Sequence, residues 1–140
     1  MIEAEAVKDI LSAAWTAANT GDNTPIIDLV TNRVNVDIRN YDYVLTYNVG
    51  GGTAARVGAK AFSYSNRVSI DLRSSVWSRF KLNILEIMRI IEGKYLSPGG
   101  VYAKLVPLGK GVDLSDKTRL IYRRVIDVMV DEDLKELTSI

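Results

Sequence analysis

Between residues 41 and 49 the chain alternates, with Tyr41, Tyr43, Leu45, Tyr47 and Val49 on one face and Asp42, Val44, Thr46 and Asn48 on the other. A period of two is the signature of a strand. The same alternation runs through Val68-Ser69-Ile70-Asp71-Leu72-Arg73, which passes across Ser74-Ser75 into a segment of a different period. There Trp77, Phe80, Ile84, Ile87, Met88 and Ile91 recur at helical spacing, widened by Leu85 and Ile90, so a long amphipathic helix starts near Val76. Ser75 is placed to cap it and Gly93 to stop it. Its wet side reads as Arg79, Lys81, Asn83, Glu86, Arg89 and Glu92, where Glu86 and Arg89 or Glu92 make ordinary spaced pairs.

Around this centre the remaining elements follow. Val7, Ile10, Leu11, Ala14, Trp15 and Ala18 form an apolar stripe predicting an N-terminal helix that Gly21 stops. The stripe is alanine-rich, which lets a helix lie close to a sheet. Thr24-Pro25 reads as a helix start, with a short turn of helix over Ile26 to Val30. Val34, Val36 and Ile38 suggest a short strand. Gly50-Gly51-Gly52 and Gly58 bracket a flexible connection that resumes as a strand from about Lys60 to Tyr64, and Ser65-Asn66 reads as a break. Ser97-Pro98-Gly99-Gly100 is a turn cluster, followed by a strand over Val101 to Leu108 that Pro107 terminates. A polar connection over 109–117 leads to the last strand, Arg119 to Val130, with Leu120, Tyr122, Ile126, Val128 and Val130 on one face. Residues 131–140 read as a short acidic tail, helical at its start. The sum is a single α+β domain over 1–140: a mainly antiparallel sheet packed against an N-terminal helix and a long central helix.

Composition changes this picture mainly by exclusion. The 140 residues are 47% apolar and 25% charged, ordinary for one folded domain. With no cysteine there is no disulfide framework, thiolate metal site or thiol nucleophile. With no histidine, the commonest general base and metal ligand near neutral pH are also missing. The net charge of +1 creates no overall field for a polyanion. No apolar run approaches the about 18 residues that span a bilayer, and no basic-then-apolar leader opens the chain, so a soluble, unexported protein is expected.

Three chemistries bear on these residues. The Gly50–Gly58 glycines resemble a phosphate loop, but Gly58-Ala59-Lys60-Ala61 enters a strand where a nucleotide loop needs Gly-Lys-Ser/Thr opening a helix. Asp71 and Asp127 sit on two strands and could meet on one sheet face to hold Mg²⁺, although aspartate at such sites is more often solvated charge. The basic strip from Lys110 to Arg124, with Lys117, Arg119 and Arg123, surrounds Tyr122 and makes a small nucleic-acid-binding accessory domain the alternative reading. Tyr122 is expected to face the core, with Arg119 and Arg123 on the solvent side and suited to inter-subunit salt bridges.

The order of elements, carried by Arg67-Val68-Ser69-Ile70-Asp71-Leu72-Arg73-Ser74 leading into Trp77-Ser78-Arg79-Phe80 and by the closing Leu120-Ile121-Tyr122-Arg123-Arg124-Val125-Ile126-Asp127-Val128, resembles the tail terminator and tail-completion (head-tail joining) proteins of long-tailed bacteriophages and related viruses. The resemblance covers Val7 to Val130. It implies a non-enzymatic virion protein, assembled in the host cytoplasm into a homo-oligomeric ring, usually a hexamer, at the end of the tail tube. Such a ring stops polymerisation of the tube protein and meets the head connector, with loops and strand edges as contacts. No catalytic residue, cofactor or metal comes with the resemblance, and neither membrane nor sequence-specific nucleic acid is an expected partner. Interface candidates are Gly50, Gly51, Gly52, Arg56, Lys110, Lys117, Arg119 and Arg123.

Overall fold

In the computed structural model, residues 2–30, 39–57, 61–92, 95–96, 103–116, 118 and 120–133 are described. The helices are α1 (Ile2–Ala14) and α2 (Trp77–Ile91), with a 3₁₀ turn at Ala17–Thr20. The strands are β1 (Ile26–Leu29), β2 (Tyr43–Val57), β3 (Ala61–Ser74), β4 (Tyr95–Leu96), β5 (Ala103–Pro107), β6 (Val112–Asp113) and β7 (Tyr122–Asp133). They form one sheet in the order β1-β2-β3-β7-β5-β4, with β6 also pairing β7. β1 runs parallel to β2 and the other pairs are antiparallel. This is the α+β architecture expected, a mainly antiparallel sheet against two helices.

Register decides which residues face the helices. Val44 lies opposite Leu72 and Thr46 opposite Ile70, while Val68 and Ile70 lie opposite Val128 and Ile126. These even-numbered positions form the helix face, and they pack with Val7, Leu11, Phe80, Ile87, Ile90 and Ile91 into one buried core. On β2 the core therefore takes the more polar of the two faces. Its polar groups are all engaged: Thr46 Oγ1 donates to the Ala4 carbonyl (3.0 Å) and Asn48 Oδ1 accepts the Ala4 N–H (3.1 Å), which docks the start of α1 on the strand. The tyrosine-bearing side of β2 becomes the far face, where Leu45 is also buried.

Several expectations are corrected. The stretch after Thr24-Pro25 is a strand, not a turn of helix, because β2 satisfies its backbone: Ile26 N–H donates to Asp42 O and Val30 N–H to Thr46 O. The first helix ends at Ala14 instead of near Ala18, and Gly21, at φ 68°, terminates the 3₁₀ turn. The three glycines are not a loop between strands. They lie within β2, at a shift where Val49 pairs Arg67 and Thr53 pairs Ser65, so Gly50-Gly51-Gly52 bulges opposite Asn66. Ser65-Asn66 accordingly is no break, since Asn66 also pairs Val130 of β7. Residues 131–133, expected in the tail, extend β7 and pair β3, and Asp131 and Glu132 also pair β5.

At the start of α2 the N-cap residue is Val76, with no side-chain cap; one residue before Ser75, Ser74 Oγ accepts the Val76 N–H at 3.1 Å. Along the helix, Trp77 and Leu85 are exposed whereas Asn83 and Glu86, read as wet, are buried. The expected strand at 34–38, the Gly93 stop, the 97–100 turn and the tail beyond 133 lie outside the described residues.

Candidate functional site

Two buried carboxylates organise the end of the sheet where β2 and β7 begin and β3 ends. Asp42, on the helix face, accepts hydrogen bonds from Ser74 Oγ (2.7 Å), Arg79 Nε and Nη2 (3.1 and 3.2 Å) and Asn83 Nδ2 (3.0 Å). These bonds tie the entry of β2 to the end of β3 and the first turns of α2. Asp71, on the far face and 1% exposed, is held by both forks of Arg123 (3.0 and 2.9 Å) and by Arg73 (2.9 Å). Arg123 titrates above its ordinary range, chiefly through the bond to Asp71, with burial opposing. Asp127 lies on the same face but bonds elsewhere, to Ser69 Oγ at 2.6 Å. The two carboxylates considered for Mg²⁺ therefore share a face, yet each is engaged by its own protein partner. Among the described residues no group of three or more carboxylates converges as a metal site.

A third cluster sits where α1 ends. Glu86, buried in α2, accepts the Thr16 N–H (2.7 Å) and Asn19 Nδ2 (3.2 Å) and pairs with Arg89, whose Nη2 donates to the Ala14 carbonyl (2.9 Å). The Glu86 carboxyl is held below its ordinary range, first by Arg89, against burial, with help from Thr16 and Asn19. This cluster joins helices and leaves no reactive group open.

Exposed surface is more informative. Trp77 is 49% exposed and forms an aromatic triad with Phe80 and Tyr122, ring centroids 5.4–5.9 Å apart. Beside it runs the β6 flank of β7. Val112, Leu114 and Leu120 are exposed there, and Lys110 sits between Gly109 and Gly111 at φ 112° and 86°. Both glycines occupy backbone conformations that side-chain-bearing residues rarely adopt, and at Gly111 a Cβ would lie 2.6 Å from the Val125 carbonyl oxygen. The turn that presents Lys110 is thus built against β7.

Side chains take backbone donors at two edges of the sheet. With Ile26 and Val30 bonded inward, the Leu29 N–H points out of the sheet, and Asp28 Oδ1 accepts it at 2.8 Å. Just after β6, Leu114 N–H bonds to Arg123 O while the Ser115 N–H is taken by Asp113 Oδ1 at 2.9 Å. A donor so occupied is not offered to an added strand.

The interface candidates are thereby sorted. Lys110 is exposed at the β6 corner. Gly50, Gly51, Gly52 and Arg56 lie along the outer half of β2, Arg56 in register with Phe62. Arg123 is half-buried and committed to Asp71, not free on a solvent-facing side. Lys117 and Arg119 lie outside the described residues. Tyr122 does face the core side, against Phe80. The Asp42, Asp71 and Glu86 networks escaped the sequence reading because nothing local distinguishes a carboxylate that will be buried from one that will be wet.

Comparison of the chain with protein-family models and with curated proteins returns no match. Among the described residues, no helix is long and apolar enough to cross a membrane.

Proposed function

We propose that this protein is a structural assembly subunit, a tail terminator or head-tail joining protein that forms a homo-oligomeric ring on the end of a viral tail tube, stops tube growth and meets the head connector. The observation that carries the reading is the reach of the β2–β3 hairpin. β2 spans 15 residues, about 50 Å of strand, whereas the 15-residue α2 covers about 22 Å. α1 bonds to β2 at Thr46 and Asn48, and β3 pairs β7 out to Ser63 with Asp133. Beyond that last described pair with β7, β2 and β3 continue alone through Arg56 with Phe62 and Val57 with Ala61, the outer arm of the hairpin. Such an arm offers backbone to a neighbouring subunit or to the tube.

The occupied donors at Leu29, on β1, and Ser115, just after β6, refine how assembly would proceed. Contacts would run through the arm and the exposed corner more than through edge-to-edge strand pairing. The test is solution mass by light scattering over a concentration series, at low salt and at about 0.5 M salt, where exposed charge contacts are screened. A ring-sized species, or a concentration-driven rise toward one, followed by inhibition of tube growth in a polymerisation assay with a tube protein, is expected. A chain that stays at 15.5 kDa throughout and leaves tube growth unchanged overturns the reading. Steeply salt-dependent binding of nucleic acid by that monomer would then favour the accessory-domain alternative.

A further inference from the structure

We infer that Arg73 and Arg123, held side by side on the far face of the sheet, form a binding site for a phosphate group. Register sets the pair up. Tyr43 of β2 stands opposite Arg73 of β3, and Arg73 opposite Arg123 of β7, so the three share one row, with Leu45, Asp71 and Val125 in the next. Arg73 Nη2 and Arg123 Nη2 both donate to Asp71 Oδ2 at 2.9 Å, which leaves them no further apart than twice that distance. Arg123 Nε donates to the other oxygen, Oδ1, at 3.0 Å, and Asp71 itself is buried. The carboxylate is thus a bracket that fixes two guanidiniums next to each other. Their side chains stay 29% and 34% exposed, so the pair is within reach of a ligand in solution.

One carboxylate answers one of the two positive charges and only part of the donors. The Nη1 groups of both arginines take no part in these bonds, and Arg73 Nε is buried with no partner among the described residues. A half-buried guanidinium with so few bonds gains from an anion on its open side. The other carboxylates of this face stand too far off to serve. Asp127 lies four residues along β7 from Arg123, about 13 Å, and is bonded to Ser69, while Asp28 lies two strands across from Asp71, about 10 Å. Both distances exceed the about 8 Å over which surface charges act at physiological salt. Asp113 pairs in register with Arg124, on the opposite face. A phosphate matches what is left: its oxygens can take both Nη1 groups at once, and its charge balances the second guanidinium. Tyr43, half-buried in the same row, carries a further donor.

The test is a titration of the full-length protein with inorganic phosphate at pH 7, ionic strength held constant with chloride, followed by nuclear magnetic resonance of the arginine Nε–H groups. Saturable shifts at Arg73 and Arg123 are expected, with Arg67 unmoved. Arg67 is exposed on the same face, six residues along β3 from Arg73, and serves as the control. Arg73→Gln should weaken phosphate binding about tenfold or more, the worth of a hydrogen bond to a charged group, and Arg67→Gln should leave it unchanged. Should Arg73→Gln fail to fold, the shifts of the unchanged protein decide the matter alone. Shifts that never saturate, that spread equally to Arg67, or that survive in folded Arg73→Gln overturn the site. Parallel titrations with a small phosphate monoester and with a single-stranded oligonucleotide identify the source. Equal affinity per phosphate marks a free phosphate or its ester, and a tighter, steeply salt-dependent oligonucleotide marks a nucleic-acid backbone.

Discussion

Asp42 precedes β2 by one residue and takes hydrogen bonds from Ser74, Arg79 and Asn83 while its own carbonyl receives the Ile26 N–H. One side chain thereby sets the relative positions of two strands and a helix. Asp42→Ala would leave the buried Asn83 amide and the Arg79 guanidinium without their acceptor, and losing one partner of such a pair costs about 3–5 kcal/mol. A matching drop in the denaturant midpoint, with unchanged slope, is the expected result. In the sequence Asp42 alternates with apolar residues just as Asp71 does, and both look like ordinary solvent-facing positions of half-buried strands. Asn83 and Glu86 likewise fall on the side of α2 that the helical period assigns to water. What reverses the assignment is that a second element packs there: Glu86 meets the end of α1, and Asn83 meets Asp42.

The two helices and their ends depend on such contacts more than on local capping. α1 stops at Ala14 because Arg89 and Glu86 supply bonding partners to the Ala14 carbonyl and the Thr16 N–H, which lets the chain leave the helix without losing hydrogen bonds. Glu86 has its folded-state pKa lowered from the ordinary 4.5, so it contributes stability that is present above that value and is lost as pH falls through its depressed folded value. Thermal unfolding midpoints should accordingly fall as pH drops below the ordinary carboxylate range, and Glu86→Gln should flatten that portion of the acid profile while lowering the midpoint at pH 7. An acid profile identical in Glu86→Gln and the parent would remove this assignment. The Thr24-Pro25 signal failed by the same logic as the α1 boundary. A cap and a proline favour a helix start by about 1 kcal/mol, whereas the parallel register with β2 supplies partners for every inward-facing backbone group of β1.

At the scale of the whole molecule, the sheet's interior and the outer arm differ in how they are paired. Buried apolar residues of the sheet include Val44 and Leu45 on β2, Val68, Ile70 and Leu72 on β3, Leu105 on β5 and Ile126, Val128 and Val130 on β7, and β3 pairs β7 from Ser63 to Ser74. Replacing residues 57–61 by a two-residue Asn-Gly turn joins Arg56 directly to its partner Phe62 and leaves every described pair between β3 and β7 in place, a hairpin geometry that such turns favour. The shortened protein should still unfold cooperatively and keep its far-ultraviolet circular dichroism per remaining residue, but should stay monomeric where the parent assembles. Loss of cooperative folding would show that the arm belongs to the domain's own stability, and unchanged assembly would show that it is not a contact.

Periodicity alone was enough for the central strand leading into α2, the tyrosine-bearing strand, the closing strand and the α+β class, because alternation and the 3.6-residue period are set by backbone geometry within a single segment. Which face of β2 is buried, why three glycines sit inside a strand, and which carboxylates are held by arginine were decided only when the elements met. These depend on register and on partners far away in the chain, Asp71 with Arg123 and Glu86 with Thr16 among them, and no local pattern encodes the identity of a distant neighbour.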